Sequence, residues 1–385
     1  MKNFTFHNPT KIIFGKDTVA QLAKLVPQDA RVLILFGGAS AEKNGTLAEV
    51  RTALGGRAVQ EFGGIEPNPS YETLMGAVAL ARREKSDFLL AVGGGSVIDG
   101  TKFVAAAIPY DGEPWDIARS GGAKVRSALP FGAVLTLPAT GSEMNNGAVV
   151  TYKATHDKLP FRSPLLFPRF SVLDPTKTFT LPVKQVANGV VDAFVHTVEQ
   201  YLTYPVQALA QDRFAEGLLQ TLVEIAPQTL AAPDDYDTRA NLMWTATLAL
   251  NGLIGAGVPQ DWATHMIGHE LTALYDIDHA RTLALVLPSL LNVQRGPKRA
   301  KLLQYGERVW GIREGSEDER IDAAIASTRA FFEGLGIPTR LSAYGLGQEA
   351  VDAVLEQLGK HSLTSLGEHG DIDLATSRRI LAGAL

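Results

Sequence analysis

The 385-residue chain has no cysteine. Disulfides and thiolate-held metals are therefore excluded, and any metal must sit on nitrogen and oxygen ligands. Such ligands suit Zn²⁺, Fe²⁺, Mn²⁺ or Ni²⁺ better than Cu⁺. Neither sign of charge dominates: 36 Lys and Arg stand against 41 Asp and Glu, a formal net charge of −5. That balance gives no general affinity for nucleic acid or anionic membrane. No apolar run approaches the ~18 residues that cross a bilayer, and the longest, such as Phe131–Leu137, have the length of a buried strand. The opening Met1-Lys2-Asn3-Phe4-Thr5-Phe6 carries no apolar secretory stretch. Internal repeats and low-complexity tracts are missing too. The expectation is a soluble, cytoplasmic protein with no membrane or nucleic-acid partner. At 45% hydrophobic residues, the length suggests two domains, each able to bury its own core.

What is present divides near residue 180. Before it, short β-rich runs alternate with helical stretches. Arg31–Phe36 is almost wholly apolar, as a strand buried on both faces must be, and it ends in Gly37-Gly38-Ala39-Ser40 before a helical stretch to Leu54. Asp87–Val92 repeats the pattern, ending in Gly93-Gly94-Gly95-Ser96 and a helix through about Ala107. Phe131–Leu137 is a third such strand, followed by Pro138-Ala139-Thr140-Gly141-Ser142-Glu143. Strand, loop and helix in this succession predict an α/β domain with a parallel sheet over residues 1–180. Residues 181–385 read as all-helical, with helical spacing over Glu216–Leu230, Thr238–Ile254 and Ile321–Leu335. Gly336-Ile337-Pro338 ends the last of these. The mixed charges from Arg295 to Arg320 read as solvated helix faces.

The glycine-rich loops fall where parallel strands end, and open α/β sheets bind ligands there. Glycines let a backbone approach a phosphate, and helix-start N–H groups favour its charge. Ser96 is positioned to cap the following helix and to donate. Asp99 could reach back to free N–H groups or a ligand. The competing explanation is a tight turn whose glycines adopt φ > 0. The pattern also departs from the Rossmann fingerprint, because Ile98 stands where the third glycine belongs. Thr136, Thr140, Ser142, Asn145 and Asn146 gather small polar groups at the third strand end, more than capping requires. Lys158 adds a charge further on.

Asp192 and His196 are spaced i, i+4 among apolar residues, one turn apart on a helical face. They could chelate one cation or form a simple ion pair. Three of the eight histidines, His265, His269 and His279, crowd into the next candidate segment, and His265 and His269 again share a helical face. Imidazole is the commonest biological metal ligand. Spacing leaves open which three of His196, His265, His269 and His279 ligate, and whether Asp276 or Asp278 joins them. His-Glu-x-x-His is absent, so metalloprotease chemistry loses its main support.

Taken together, Gly93–Asp99, Thr136–Glu143, Asp174-Pro175, Asp192–His196, and His265, His269 and His279 resemble the iron-containing (group III) alcohol dehydrogenase family over essentially the whole chain. Gln185–His196 and Ala256–His265 resemble its branch of NADPH-dependent aldehyde reductases and butanol dehydrogenases in particular. The resemblance implies a dehydroquinate-synthase-like fold with its active site in a cleft, and a homodimer. It implies Asp192, His196, His265 and His279 as ligands of one Zn²⁺ or Fe²⁺, with His269 as an unligated catalytic neighbour. It implies cofactor contacts from Gly37, Gly38, Ser40, Asn68, Gly94, Gly95, Ser96, Asp99, Thr136, Thr140, Ser142, Lys158 and Leu181. The loop after the first strand has no carboxylate before Glu42, which favours NADPH, since a carboxylate would repel its 2′-phosphate. The expected reaction is hydride transfer between NADPH and an aldehyde, with NAD(H) as the lesser cofactor. Alternatives are a glycerol dehydrogenase, a dehydroquinate-synthase-type lyase on the same fold, or a non-catalytic metal- or nucleotide-binding module. The lyase needs a Lys/Arg cluster near the metal, and none accompanies Asp192–His196.

Overall fold

The computed structural model describes residues 1–385, which divide by their contacts into two units. One comprises His7–Pro182 and Ala232–Thr247, the other Met1–Phe6, Val183–Ala231 and Leu248–Leu385.

The first unit holds all eight strands: β1 (Lys11–Phe14), β2 (Arg31–Phe36), β3 (Ala58–Phe62), β4 (Phe88–Gly94), β5 (Phe131–Leu137), β6 (Gly147–Tyr152), β7 (Asp157–Arg162) and β8 (Phe170–Leu173). Six form a sheet in the order β1-β8-β5-β4-β2-β3, parallel throughout, and β6 and β7 make a separate antiparallel pair. Side chains alternate between two cores. Val32 and Ile34 pack on one face and Leu33 and Leu35 on the other; Phe88, Leu90 and Val92 oppose Leu89 and Ala91 in the same way. A strand covered on both faces must be apolar at every position, which explains the unalternating runs in the sequence. Helices α1 (Leu22–Leu25), α2 (Ser40–Lys43), α3 (Thr46–Leu54), α4 (Tyr71–Glu84), α5 (Gly95–Ala107) and α6 (Trp115–Arg119) complete the cover. From β2 the chain runs to β3 on one side, then returns to β4 on the other. The strand order reverses at that point, so the carboxyl ends of β2 and β4 flank a topological switch, the usual ligand position in such sheets.

The second unit is helical: α7 (Val183–Tyr201), α8 (Leu209–Ala231), α10 (Ala263–Tyr275), α11 (His279–Val293), α12 (Arg299–Trp310), α13 (Glu317–Gly334), α14 (Gln348–Lys360) and α15 (Leu374–Ala382). Helix α7 is buried on every side from Val186 to Tyr201, as a helix central to a bundle is. The remaining helix, α9 (Tyr236–Ala249), belongs through Thr247 to the α/β unit, where Met243 enters the core and Trp244 meets Phe14 edge-on at 6.1 Å.

Three helix limits differ from the spacing-based expectation, the first being the start of α8 at Leu209, seven residues before Glu216. Helix α9 stops at Ala249 rather than Ile254, because Asn251-Gly252 turns the chain with Gly252 at φ 92°. Helix α13 starts at Glu317, four residues before Ile321, on a capping box in which Ser316 and Glu319 satisfy each other's backbone N–H. Gly336 follows α13 at φ 74°, the left-handed conformation of a helix stop. No helix is long and apolar enough to cross a membrane.

Candidate metal centre and nucleotide loops

Helix α7 carries Asp192 and His196, α10 carries His265 and His269, and His279 is the first residue of α11. All three helices belong to the helical unit. Asp192, His265 and His279 each bring one ligand atom within 4.8 Å of the others. Nε2 of His196 lies 3.8 Å from Asp192 Oδ1, and Nε2 of His279 lies 3.7 Å from that oxygen. The His196 ring stacks on His265 at 4.6 Å. His269 stands beside this group, 5.1 Å from the His279 ring and 6.1 Å from His265.

Asp192 is only 3% exposed, and its Oδ1 accepts no hydrogen bond from the chain. A desolvated carboxylate oxygen ringed by imidazoles is costly unless a cation joins it. Three imidazoles and one carboxylate, with no thiolate, suit Zn²⁺ or Fe²⁺. The residues present therefore fit a divalent ion.

Other acidic residues nearby are engaged elsewhere. Asp276 is exposed and ends α10 in a left-handed conformation. Asp278 pairs with Lys184 at 2.7 Å and accepts from Asn188 at 3.1 Å. Glu270 meets His361 Nδ1 at 2.7 Å. Two neighbours escaped the sequence reading. Trp262 packs edge-on against His265 at 5.2 Å. Glu199, buried one turn beyond His196 on α7, meets Nδ1 of His265 through Oε2 and accepts its backbone N–H through Oε1 at 3.1 Å. Burial, and then the adjacent Asp261 carboxylate, push the Glu199 carboxyl well above the ordinary range. Its position, seven residues after Asp192 and three after His196, was readable as the same helical face.

In the α/β unit, Gly37 and Gly38 follow β2 and Ser40 begins α2; Gly38 and Ser40 are exposed. Glu42, the first carboxylate after β2, is held by Arg51 Nη1 at 3.0 Å. Gly93, Gly94 and Gly95 join β4 to α5, and none has positive φ, so the tight-turn explanation fails. They are glycines because neighbours are close: a Cβ at Gly93 would lie 2.5 Å from Val97, at Gly94 2.9 Å from Leu137, and at Gly95 2.4 Å from Thr140. Gly94 occupies the N-cap of α5 without a side-chain cap, which corrects the expectation that Ser96 caps this helix; Ser96 lies within its first turn.

Asp99 reaches forward rather than back. It accepts from Ser142 Oγ at 2.5 Å and from Val149 N at 2.8 Å. Lys102, missed in the sequence, donates to Ser142 Oγ at 2.8 Å, Asn145 Oδ1 at 2.9 Å and Gly147 O at 2.6 Å. Burial pushes its amine down to about 8, against the pull of Asp99 and Glu143. Burial likewise raises Asp99 and Glu143 above the ordinary carboxylate range. Ser142 and Asn145 thus bolt the loop after β5 to α5, while Thr140 Oγ1 accepts from Ser142 N at 3.2 Å. Thr136 is half-buried at the carboxyl end of β5. Lys158, on β7, donates to Asn68 Oδ1 at 2.9 Å, and Asn68 adopts φ 54°, which asparagine tolerates. Leu181 is half-buried just before α7.

A buried imidazole–carboxylate centre on a helical unit and glycine loops at the switch point of a parallel sheet are the marks of a metal-dependent, nucleotide-linked oxidoreductase. The iron-containing alcohol dehydrogenase model matches residues 9–175, and the model of that family's C-terminal region matches residues 186–365. The chain belongs to the iron-containing alcohol dehydrogenase family. It is 63% identical to the NADPH-dependent aldehyde reductase YqhD of Escherichia coli K12, over the whole of both chains. It is 42% identical to a probable NADH-dependent butanol dehydrogenase of Bacillus subtilis, over 93% of each. Among solved structures, the NADH-dependent butanol dehydrogenase A of Thermotoga maritima superimposes with a TM-score of 0.95 at 37% identity, covering 100% of this chain and 99% of that one.

Proposed function

We propose that the chain is an NADPH-preferring, metal-dependent oxidoreductase that interconverts short- to medium-chain aldehydes and primary alcohols. The observation that carries this reading is the convergence of Asp192, His265 and His279 around a carboxylate oxygen with no hydrogen bond of its own. Asp192, His196, His265 and His279 would hold one divalent cation, Zn²⁺ or Fe²⁺. His196 is preferred to His269 as the fourth ligand because its Nε2 lies 3.8 Å from Asp192 Oδ1. When bound, the cation supplies Lewis acidity toward a carbonyl oxygen, and the nicotinamide supplies the hydride. The chain's own residues orient these groups and manage protons. His269, buried one turn beyond His265, is the residue that hands a proton to the product oxygen.

The α/β unit binds the nucleotide and the helical unit binds the metal. Gly37, Gly38, Ser40, Gly94, Gly95, Ser96, Thr136 and Thr140 contact the cofactor together with Asn68, Lys158 and Leu181, while Asp99 and Ser142 also brace that loop. The preference for NADPH is supported by the exposed Gly38 and Ser40 and by Arg51, which occupies Glu42, leaving room for a 2′-phosphate. Exposed apolar side chains at Phe4, Phe6, Leu209 and Phe214 support a homodimer. The reaction draws on reduced nicotinamide, so the enzyme works in the cytoplasm, where that pool is kept.

The test combines metal analysis with NADPH and NADH oxidation in the presence of butanal. Native protein should contain one divalent ion per chain and turn over faster with NADPH. His265→Ala should lose both metal and turnover, and His269→Ala should keep the metal but lose turnover. Full activity in a chelated, metal-free sample overturns the metal mechanism, and metal loss in His269→Ala overturns the ligand assignment.

A further inference from the structure

Glu199 carries no assigned role, yet its carboxylate is bound to one residue at two points. Oε1 accepts the backbone N–H of His265 at 3.1 Å, and Oε2 meets the Nδ1 of the same residue. His265 stands in the first turn of α10, where backbone N–H groups have no helical partner. Its neighbour Ala263 is satisfied by Asp261 Oδ1 at 2.8 Å, so Glu199 and Asp261 together close the start of α10. Gripping both main chain and ring, Glu199 fixes where the His265 side chain points.

The one buried cation nearby is engaged elsewhere. Lys298, 2% exposed, pairs with Asp261 at 2.9 Å and Glu368 at 2.8 Å and donates to Leu202 O at 2.7 Å. Its ammonium protons are accounted for by those acceptors.

We propose that Glu199 is a positioning residue for the metal centre: it holds His265 with its proton on Nδ1, leaving Nε2 as the ring atom that faces Asp192 and His279. An imidazole can ligate only through the nitrogen that carries no proton, and a carboxylate behind the ring both selects that tautomer and makes the ligating nitrogen more basic. This rests on the metal-centre reading above.

The experiment measures zinc affinity of the full-length apo chain by competition with a chromophoric chelator, for the native protein, Glu199→Gln and Glu199→Asp. The amide of Glu199→Gln can accept from the ring or from the backbone N–H, but not both. Its zinc affinity should fall about 10–100-fold, as loss of such an outer partner does elsewhere, and Glu199→Asp should recover part of it. Nitrogen NMR of the native zinc-loaded chain, labelled at histidine, should show His265 protonated at Nδ1 and shifted by metal at Nε2. Unchanged affinity in a folded Glu199→Gln overturns the proposal while leaving the metal centre standing. A proton on Nε2 of His265 overturns it whether or not the variant folds. A native chain that takes up no zinc overturns both readings.

Discussion

A methyl group on Gly95 would lie 2.4 Å from both Oγ1 and Cγ2 of Thr140, closer than any relaxed contact. Gly95→Ala should therefore destabilise the α/β unit by roughly 1–3 kcal/mol, the usual cost of overpacking. The double variant Gly95→Ala/Thr140→Ala removes both clashing atoms and should recover most of the loss in urea unfolding. If the single variant is as stable as the native chain, the glycine is there for the ligand alone. At this scale the sequence was informative where chemistry repeats at helical spacing: Asp192 with His196, and His265 with His269, declared themselves. Lys102 did not, because its acceptors at Ser142, Asn145 and Gly147 are 40 to 45 residues away. Only the fold brings them to one amine.

Between elements, Glu216 clamps three helices of the helical unit. From α8 it accepts Tyr201 OH of α7 at 2.9 Å, Arg213 Nη1 at 2.7 Å, and Gln304 Nε2 and Arg308 Nη1 of α12 at 2.7 and 2.9 Å. Burial alone would raise this carboxyl, but the four donors outweigh it and hold it below the ordinary glutamate range. The folded chain therefore binds this proton less readily than the unfolded chain. Its contribution to stability is present above the ordinary glutamate pKa and disappears as pH falls through the lowered folded value. Glu216→Gln should cost roughly 1.5–3 kcal/mol at neutral pH, the worth of hydrogen bonds to a charged group. The gap in Tm between the two proteins should narrow as pH drops below about 4.3. A gap independent of pH would mean that packing, not charge, makes the clamp. Elements built as unbroken apolar runs were legible: β2, β4 and β5 stand where those runs lie. Their ends were less so. The Ser316–Glu319 capping box starts α13 four residues before its apolar spacing begins, and the stop of α9 at Asn251-Gly252 falls inside an apolar spacing that resumes at Leu253 and Ile254.

For the whole chain, the succession of strand, glycine loop and helix identifies a parallel sheet, and the loss of β-branched clusters after residue 180 identifies helices. Neither pattern shows that Ala232–Thr247, helical in texture, packs with the sheet, since partner choice depends on which face meets which core. Asp192 makes the metal reading testable on stability alone. Its carboxylate is buried, and Oδ1 accepts no hydrogen bond, so in the metal-free chain it is a desolvated charge with incomplete compensation. Asp192→Asn removes that charge at nearly constant volume and should leave apo Tm equal to or above the native value. With zinc at about 100 times its Kd, the native chain should gain roughly 2.7 kcal/mol, because the ion binds only the folded state. The variant lacks the anionic ligand and should gain little. One substitution thus has opposite consequences in the two states, and calorimetry with and without zinc reads both. If Asp192→Asn gains as much from zinc as the native protein does, the ion is held elsewhere and the carboxylate is a structural residue of α7.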